Sequence, residues 1–227
     1  MQKNFMRKFI NYLFLFFFVG GAFSNVIAPS NAADIPSPKD KKPAEIGVII
    51  GSTRPNRIGK QIAEWILNEV SNTPGLKFRL VDLVDFSLPL LNEPFPAAQS
   101  DNYTHEHTKK WSKEVQYYQG YVFIIPEYNS GYPASIKNAI DYLFKEWNGK
   151  AALIISYGFQ GGKKSAEQFK QILTAVKLHP TQTMPALTLK EEMFDEKGQI
   201  KSPGQDFAQY MHGIKQAVQE LRGLILG

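Results

Sequence analysis

From Ala44 onward the chain alternates between two hydrophobic periods. Ile46–Ile50 is a continuous apolar run ending at Gly51, the pattern of a strand buried on both faces. Ile58, Ile62, Trp65, Ile66 and Val70 then recur at the spacing of one helix face. Lys77–Val84, rich in β-branched and aromatic residues, predicts a second strand, and Trp111, Val115 and Tyr118 predict a helix after it. Tyr121–Ile125 predicts a third strand, followed by a helix presenting Ile136, Ala139, Ile140, Leu143 and Phe144. Ala151–Ser156 predicts a fourth, with Phe169, Ile172, Leu173 and Val176 on its helix. Thr183–Leu189 predicts a fifth, and a last helix carries Phe207, Met211, Ile214, Val218 and Leu221.

Strands alternating with helices argue for βαβ units. Five of each fit an α/β fold with a doubly wound five-stranded parallel sheet of flavodoxin-like type, strand order 2-1-3-4-5. A TIM barrel needs eight units and is excluded by count. In such a sheet ligands bind beyond the carboxyl ends of the strands, where strand order reverses, here between strands one and three. Function should therefore reside in the segments that follow Ile50, Ile125 and Ile155.

Charge changes the picture only at the N-terminus. Lys3, Arg7 and Lys8 precede the apolar run Tyr12–Val19, no acidic residue occurs before Asp34, and Ser30-Asn31-Ala32 offers a small-x-small cleavage site. Residues 1–32 read as a secretory signal peptide, with export to the periplasm or medium expected; an uncleaved anchor and a cytoplasmic location are the alternatives. Losing Lys3, Arg7 and Lys8 with the leader lowers the formal charge from +5 to +2, too little to argue for nucleic acid. Residues 33–43, with Pro36, Pro38, Lys39, Lys41, Lys42 and Pro43, read as a linker before a domain over 44–227. The absence of cysteine excludes disulfides, thiol nucleophiles and Cys-ligated metals.

Strand one runs through Gly51-Ser52-Thr53-Arg54-Pro55-Asn56-Arg57-Ile58-Gly59 into a helix. A helix start with hydroxyl and guanidinium donors is suited to phosphate. The Walker and dinucleotide glycine patterns both fail, since Asn56 and Thr53 stand where each needs glycine. A solvent-facing polar turn is the bland alternative. After strand three, Tyr128 and Tyr132 in Pro126–Pro133 are placed either to wall a flat ring or to pack structurally. After strand four, Ser156-Tyr157-Gly158-Phe159-Gln160-Gly161-Gly162 is a turn that lets backbone approach a ligand. His105-Glu106-His107 reads as a solvated segment rather than a metal site, and no metal is expected.

The stretches GSTRPNRIG, PEYNSGYPASIKNAIDYL and EWNGKAALIISYGFQGG together resemble the NADPH-dependent FMN reductase family of flavodoxin-like proteins, over roughly Glu45 to Gly162. The resemblance implies that Ser52, Thr53, Arg54, Arg57, Ile58 and Gly59 hold an FMN phosphate. It also implies that Pro126, Glu127, Tyr128 and Asn129 lie along the isoalloxazine, and that Ser156, Tyr157, Gly158, Gly161 and Gly162 close its far edge. It further implies NAD(P)H as co-substrate, small acceptors such as quinones, azo compounds or free flavin, ping-pong turnover and a homo-oligomer, dimer or tetramer. No catalytic acid or base is expected, because the flavin carries the hydride chemistry. A flavodoxin-like electron carrier without NAD(P)H activity is the alternative; a carrier usually shows a strongly acidic docking face, whereas the mature domain is near neutral to slightly basic.

Overall fold

Parallel strands covered on both faces need apolar side chains on both sides of the ribbon. In the computed structural model, which describes residues 42–227, the middle strands have them. The elements run β1 (Ala44–Ile50), α1 (Gly59–Val70), β2 (Leu76–Asp82), α2 (Glu106–Tyr117), β3 (Gly120–Pro126) and α3 (Ala134–Asp141). They continue with β4 (Ala151–Gly158), α4 (Lys163–Ala175), β5 (His179–Pro180), β6 (Ala186–Thr188), α5 (Pro203–Asp206) and α6 (Met211–Leu226). Every residue of β3 is buried, as is all of β4 except Gly158. The expected signal peptide, and the expected linker up to Lys41, lie outside the described residues.

The sheet has the order β2-β1-β3-β4, with β5 and β6 both on the outer side of β4 and all pairs parallel. This is the doubly wound, flavodoxin-like order 2-1-3-4-5. Alternate residues feed two cores. Ile46, Val48 and Ile50 meet Ile62, Trp65 and Ile66 of α1 and Ile214, Val218 and Leu221 of α6. Ile49, Phe123 and Ile125 meet Trp111, Val115, Ile136, Ile140 and Phe169 on the opposite face.

Several boundaries depart from expectation: Leu143 and Phe144 fall beyond the end of α3, Phe207 falls ahead of α6, and strands two and five differ too. Strand two stops at Asp82 rather than Val84, because the Asp82 carboxylate accepts the Val84 N–H and starts a 3-10 turn over Leu83–Phe86. The fifth strand is not the single run Thr183–Leu189. His179 pairs with Ala151 and Ala186 with Ser156, so the register slips by two residues between the pieces. Pro180 and Pro185 cannot donate to a ladder. Thr183 between them gives its N–H (2.8 Å) and hydroxyl to Glu220 of α6 instead of to β4.

Glu45 of β1 is buried between Arg79, whose Nε lies 2.7 Å from Oε2, and Lys77 at 3.1 Å. The hydrogen bond from Arg79 is the chief cause holding its carboxyl down to about 2. A carboxyl whose folded value lies below its unfolded one stabilises the fold above the unfolded value, and the gain fades as pH falls toward the folded one. The urea midpoint should therefore drop between about pH 4.5 and 2, and Glu45→Gln should flatten that part of the profile. An unaltered profile in the variant would show that the pair contributes nothing.

Candidate functional site

The turn after β1 is built by packing and leaves its donors free. Gly51 donates to Ile124 O (2.9 Å), and a Cβ there would meet Ile125 Cγ2 at 2.9 Å, so the chain crosses β3 at closest approach. Ser52 is fully buried; its hydroxyl shares a 2.7 Å hydrogen bond with the Tyr128 hydroxyl and accepts the Arg54 N–H at 3.3 Å. Helix α1 opens at Gly59 with Ile58 as N-cap, no side-chain cap and no acidic residue in its first turn. Its first N–H groups and the positive end of its dipole thus face the loop unopposed. Arg54 is exposed, its guanidinium 5.5 Å from the Tyr128 ring centroid.

Arg57 is committed in part. It pairs with Asp82 at the end of β2 and donates to the Arg54 carbonyl at 3.2 Å, which braces the turn. Its Nε is buried without a hydrogen-bond partner. An orphaned buried donor is costly unless a ligand satisfies it. Beside an uncapped helix start, that is the arrangement a phosphate group fits.

The turn after β3 is fastened to its neighbours. Glu127 donates its N–H to Tyr157 O (3.0 Å), and its carboxylate accepts the Lys164 N–H (3.2 Å) at the start of α4. Tyr128 and Gly131 exchange backbone hydrogen bonds, with Asn129 (φ 49°) and Ser130 (φ 65°) left-handed between them. This is a tight turn in which asparagine tolerates the positive φ. Of the two tyrosines, only Tyr128 faces the cleft. Tyr132 leans on Phe169 at 5.5 Å and belongs to the packing.

In the turn after β4, the buried Ser156 hydroxyl donates to Gly161 O (2.8 Å). Gly162 (φ 73°) caps α4 where a Cβ would strike Tyr157 N at 2.9 Å. Tyr157 is buried, and a Cβ on Gly59 would come within 2.7 Å of its hydroxyl. Burial pushes the Tyr157 pKa upward, so the phenol stays a neutral donor beside the first turn of α1.

These turns enclose a cleft of about 270 Å³. It brings together Arg54, Arg57, Ile58, Pro126, Glu127, Tyr128, Tyr157 and Gly158 of the residues named from sequence. Ser52, Gly59, Ser156, Gly161 and Gly162 stand behind them and shape the turns, and Asn129 sits at the exposed turn tip. Thr53 opens instead on a neighbouring hollow with Leu83, Leu90 and Ser135. Sequence reasoning missed Asn56, Phe159, Leu189, Phe194 and Gly198. Asn56 and Phe159 lay inside the matched motifs and Leu189 at the end of the predicted fifth strand, none of them singled out; Phe194 and Gly198 come from a later segment with no periodic signal.

Fold and cleft define a mononucleotide-binding protein of flavodoxin type. The profile of the NADPH-dependent FMN reductase family matches residues 44–191. An NAD(P)H-dependent FMN reductase of Schizosaccharomyces pombe is 39% identical over 181 residues, covering 79% of this chain and 90% of that one. A quinone reductase of Pseudomonas putida is 28% identical, covering 72% and 88%. The solved structure of FerB, a flavoenzyme NAD(P)H:(acceptor) oxidoreductase from Paracoccus denitrificans, superposes with a TM-score of 0.62 at 21% identity, over 79% of this chain and 98% of that one. The chain belongs to the NADPH-dependent FMN reductase family and is an FMN-dependent oxidoreductase.

The contact between Tyr157 and Gly59 is directly testable. Alanine ordinarily favours a helix, yet Gly59→Ala should destabilise the fold by roughly 1–3 kcal/mol through overpacking. Adding Tyr157→Phe, which removes the hydroxyl, should restore most of the loss. Additive losses in urea denaturation would refute the contact.

Proposed function

We propose that the cleft binds FMN with its phosphate at the start of α1, and that the protein passes hydride equivalents from NAD(P)H to a small quinone- or azo-type acceptor. The observation that carries this is the uncapped α1 start beside the orphaned Arg57 Nε, in one cleft with Tyr128. Arg54, Arg57 and the N–H groups around Ile58 and Gly59 neutralise the phosphate, while Ser52 fixes the turn through Tyr128 and Thr53 faces the neighbouring hollow. Pro126, Glu127, Tyr128 and Asn129 support one edge of the ring system; Tyr157, Gly158 and the turn closed by Ser156, Gly161 and Gly162 support the other. FMN, when bound, supplies the hydride chemistry; the chain supplies binding, orientation and exclusion of water. The acceptor class is supported by the relatives, which include quinone reductases.

Anaerobic mixing of the FMN-loaded protein with NADPH should bleach the flavin absorbance rapidly. A stable spectrum would contradict the reductase reading and favour an electron carrier reduced by a protein partner.

We also propose that residues 1–32 direct export and that the mature protein is a homo-oligomer. The first rests on the cationic-then-apolar leader. The second rests on exposed Leu90, Leu91 and Phe95, which lie in one segment running past the hollow beside Thr53. The exported fraction should begin at Ala33 and sediment above monomer mass. An intact Met1 would remove the first proposal, and a monomer the second.

A further inference from the structure

The cleft is lined by two unlike sets of residues. Arg54, Arg57 and the start of α1 are cationic, while Phe159, Leu189 and Phe194 are apolar. Phe159 projects from the turn after β4 and is 64% exposed. Its ring centroid lies 6.4 Å from that of Phe194, with the planes inclined at 41°. The two residues come from segments far apart in sequence. Separate exposed apolar residues are ordinary on a protein surface; a pair converging on one cleft is not.

Phe194 is held firmly. It forms an antiparallel bridge with Ile200, and the flanking bonds Asp195 N to Gln199 O and Lys201 N to Met193 O are each 2.9 Å. The side-chain amide of Gln61 on α1 accepts the Ile200 N–H at 3.0 Å and donates to the Ile200 carbonyl at 3.3 Å. The small hairpin is thereby tied to the first turn of α1, beside the cationic residues of the cleft. Phe159 is placed by the other wall, where Gly158 O accepts the N–H groups of Gly161 and Leu189, each at 2.9 Å. Phe194 and Gly198 also fall beyond residues 44–191, the span matched by the family profile.

We propose that Phe159 and Phe194 form an aromatic rim that selects the electron acceptor, favouring neutral planar aromatic molecules of quinone type over small inorganic anions. This rests on the flavin reading above. NAD(P)H has ribose, phosphate and amide groups through which to bind. A small quinone has little besides its ring, so its affinity depends on apolar area removed from water and on ring contacts. Inorganic anions gain nothing from such a wall.

The test compares wild type, Phe159→Ala and Phe194→Leu, each as the full FMN-loaded protein, with 2-methyl-1,4-naphthoquinone and with ferricyanide as acceptors. In Phe159→Ala the naphthoquinone KM should rise about tenfold with little change in kcat. Its kcat/KM should fall by a similar factor relative to that for ferricyanide. Phe194→Leu, which keeps an apolar side chain against the core, should show a smaller shift in the same direction, and in both variants the FMN dissociation constant should rise by a clearly smaller factor than the naphthoquinone KM. Equal losses for both acceptors, or an FMN dissociation constant rising in step with the quinone KM, would overturn the rim while leaving the flavin reading intact. A wild-type protein that retains no FMN would overturn the flavin reading and the rim with it.

Discussion

Helix α1 begins without a side-chain cap, and none of the described residues supplies one. The buried Ser52 hydroxyl is taken by Tyr128. The Asp82 carboxylate is taken by Arg57 and the Val84 N–H. The first turn of α1 carries no acidic residue. A helix end left in this state is an anion site by default. Buried Arg57 Nε adds one more unsatisfied donor to it.

Three groups at the carboxyl edge of the sheet hold this turn in place. Ser135 of α3 donates to Gly51 O at 2.6 Å, Tyr128 reaches across from the turn after β3, and Tyr157 presses on Gly59 from the turn after β4. Glu127 lines the cleft, and its carboxylate accepts the Lys164 N–H at the start of α4. That is consistent with a site in which the cofactor, and not a protein acid or base, carries the reaction.

Much of this was legible in the chain because burial on both faces leaves an unmistakable mark. Ile46–Ile50, Tyr121–Ile125 and Ala151–Ser156 all became central strands, and the apolar stripe from Ile58 to Val70 became the buried face of α1. What escaped depended on partners remote in sequence. Thr183 leaves the strand ladder because Glu220 takes its donors, and Arg57 is half spent because Asp82 meets it from β2. Tyr132 and Tyr128 occupy one turn and have the same composition signal, but only the packing of Phe169 separates them. The Phe194 hairpin is fixed by Gln61, a contact that no local period encodes.

The central claim is that a phosphate completes the start of α1. The most direct measurement is a paired fluorescence titration of the apoprotein with FMN and with riboflavin, which differ only in that group. Saturable quenching by FMN, with riboflavin at least about tenfold weaker, is the predicted result for a charge-assisted phosphate site. Equal affinities, or no saturable binding of FMN, would contradict it.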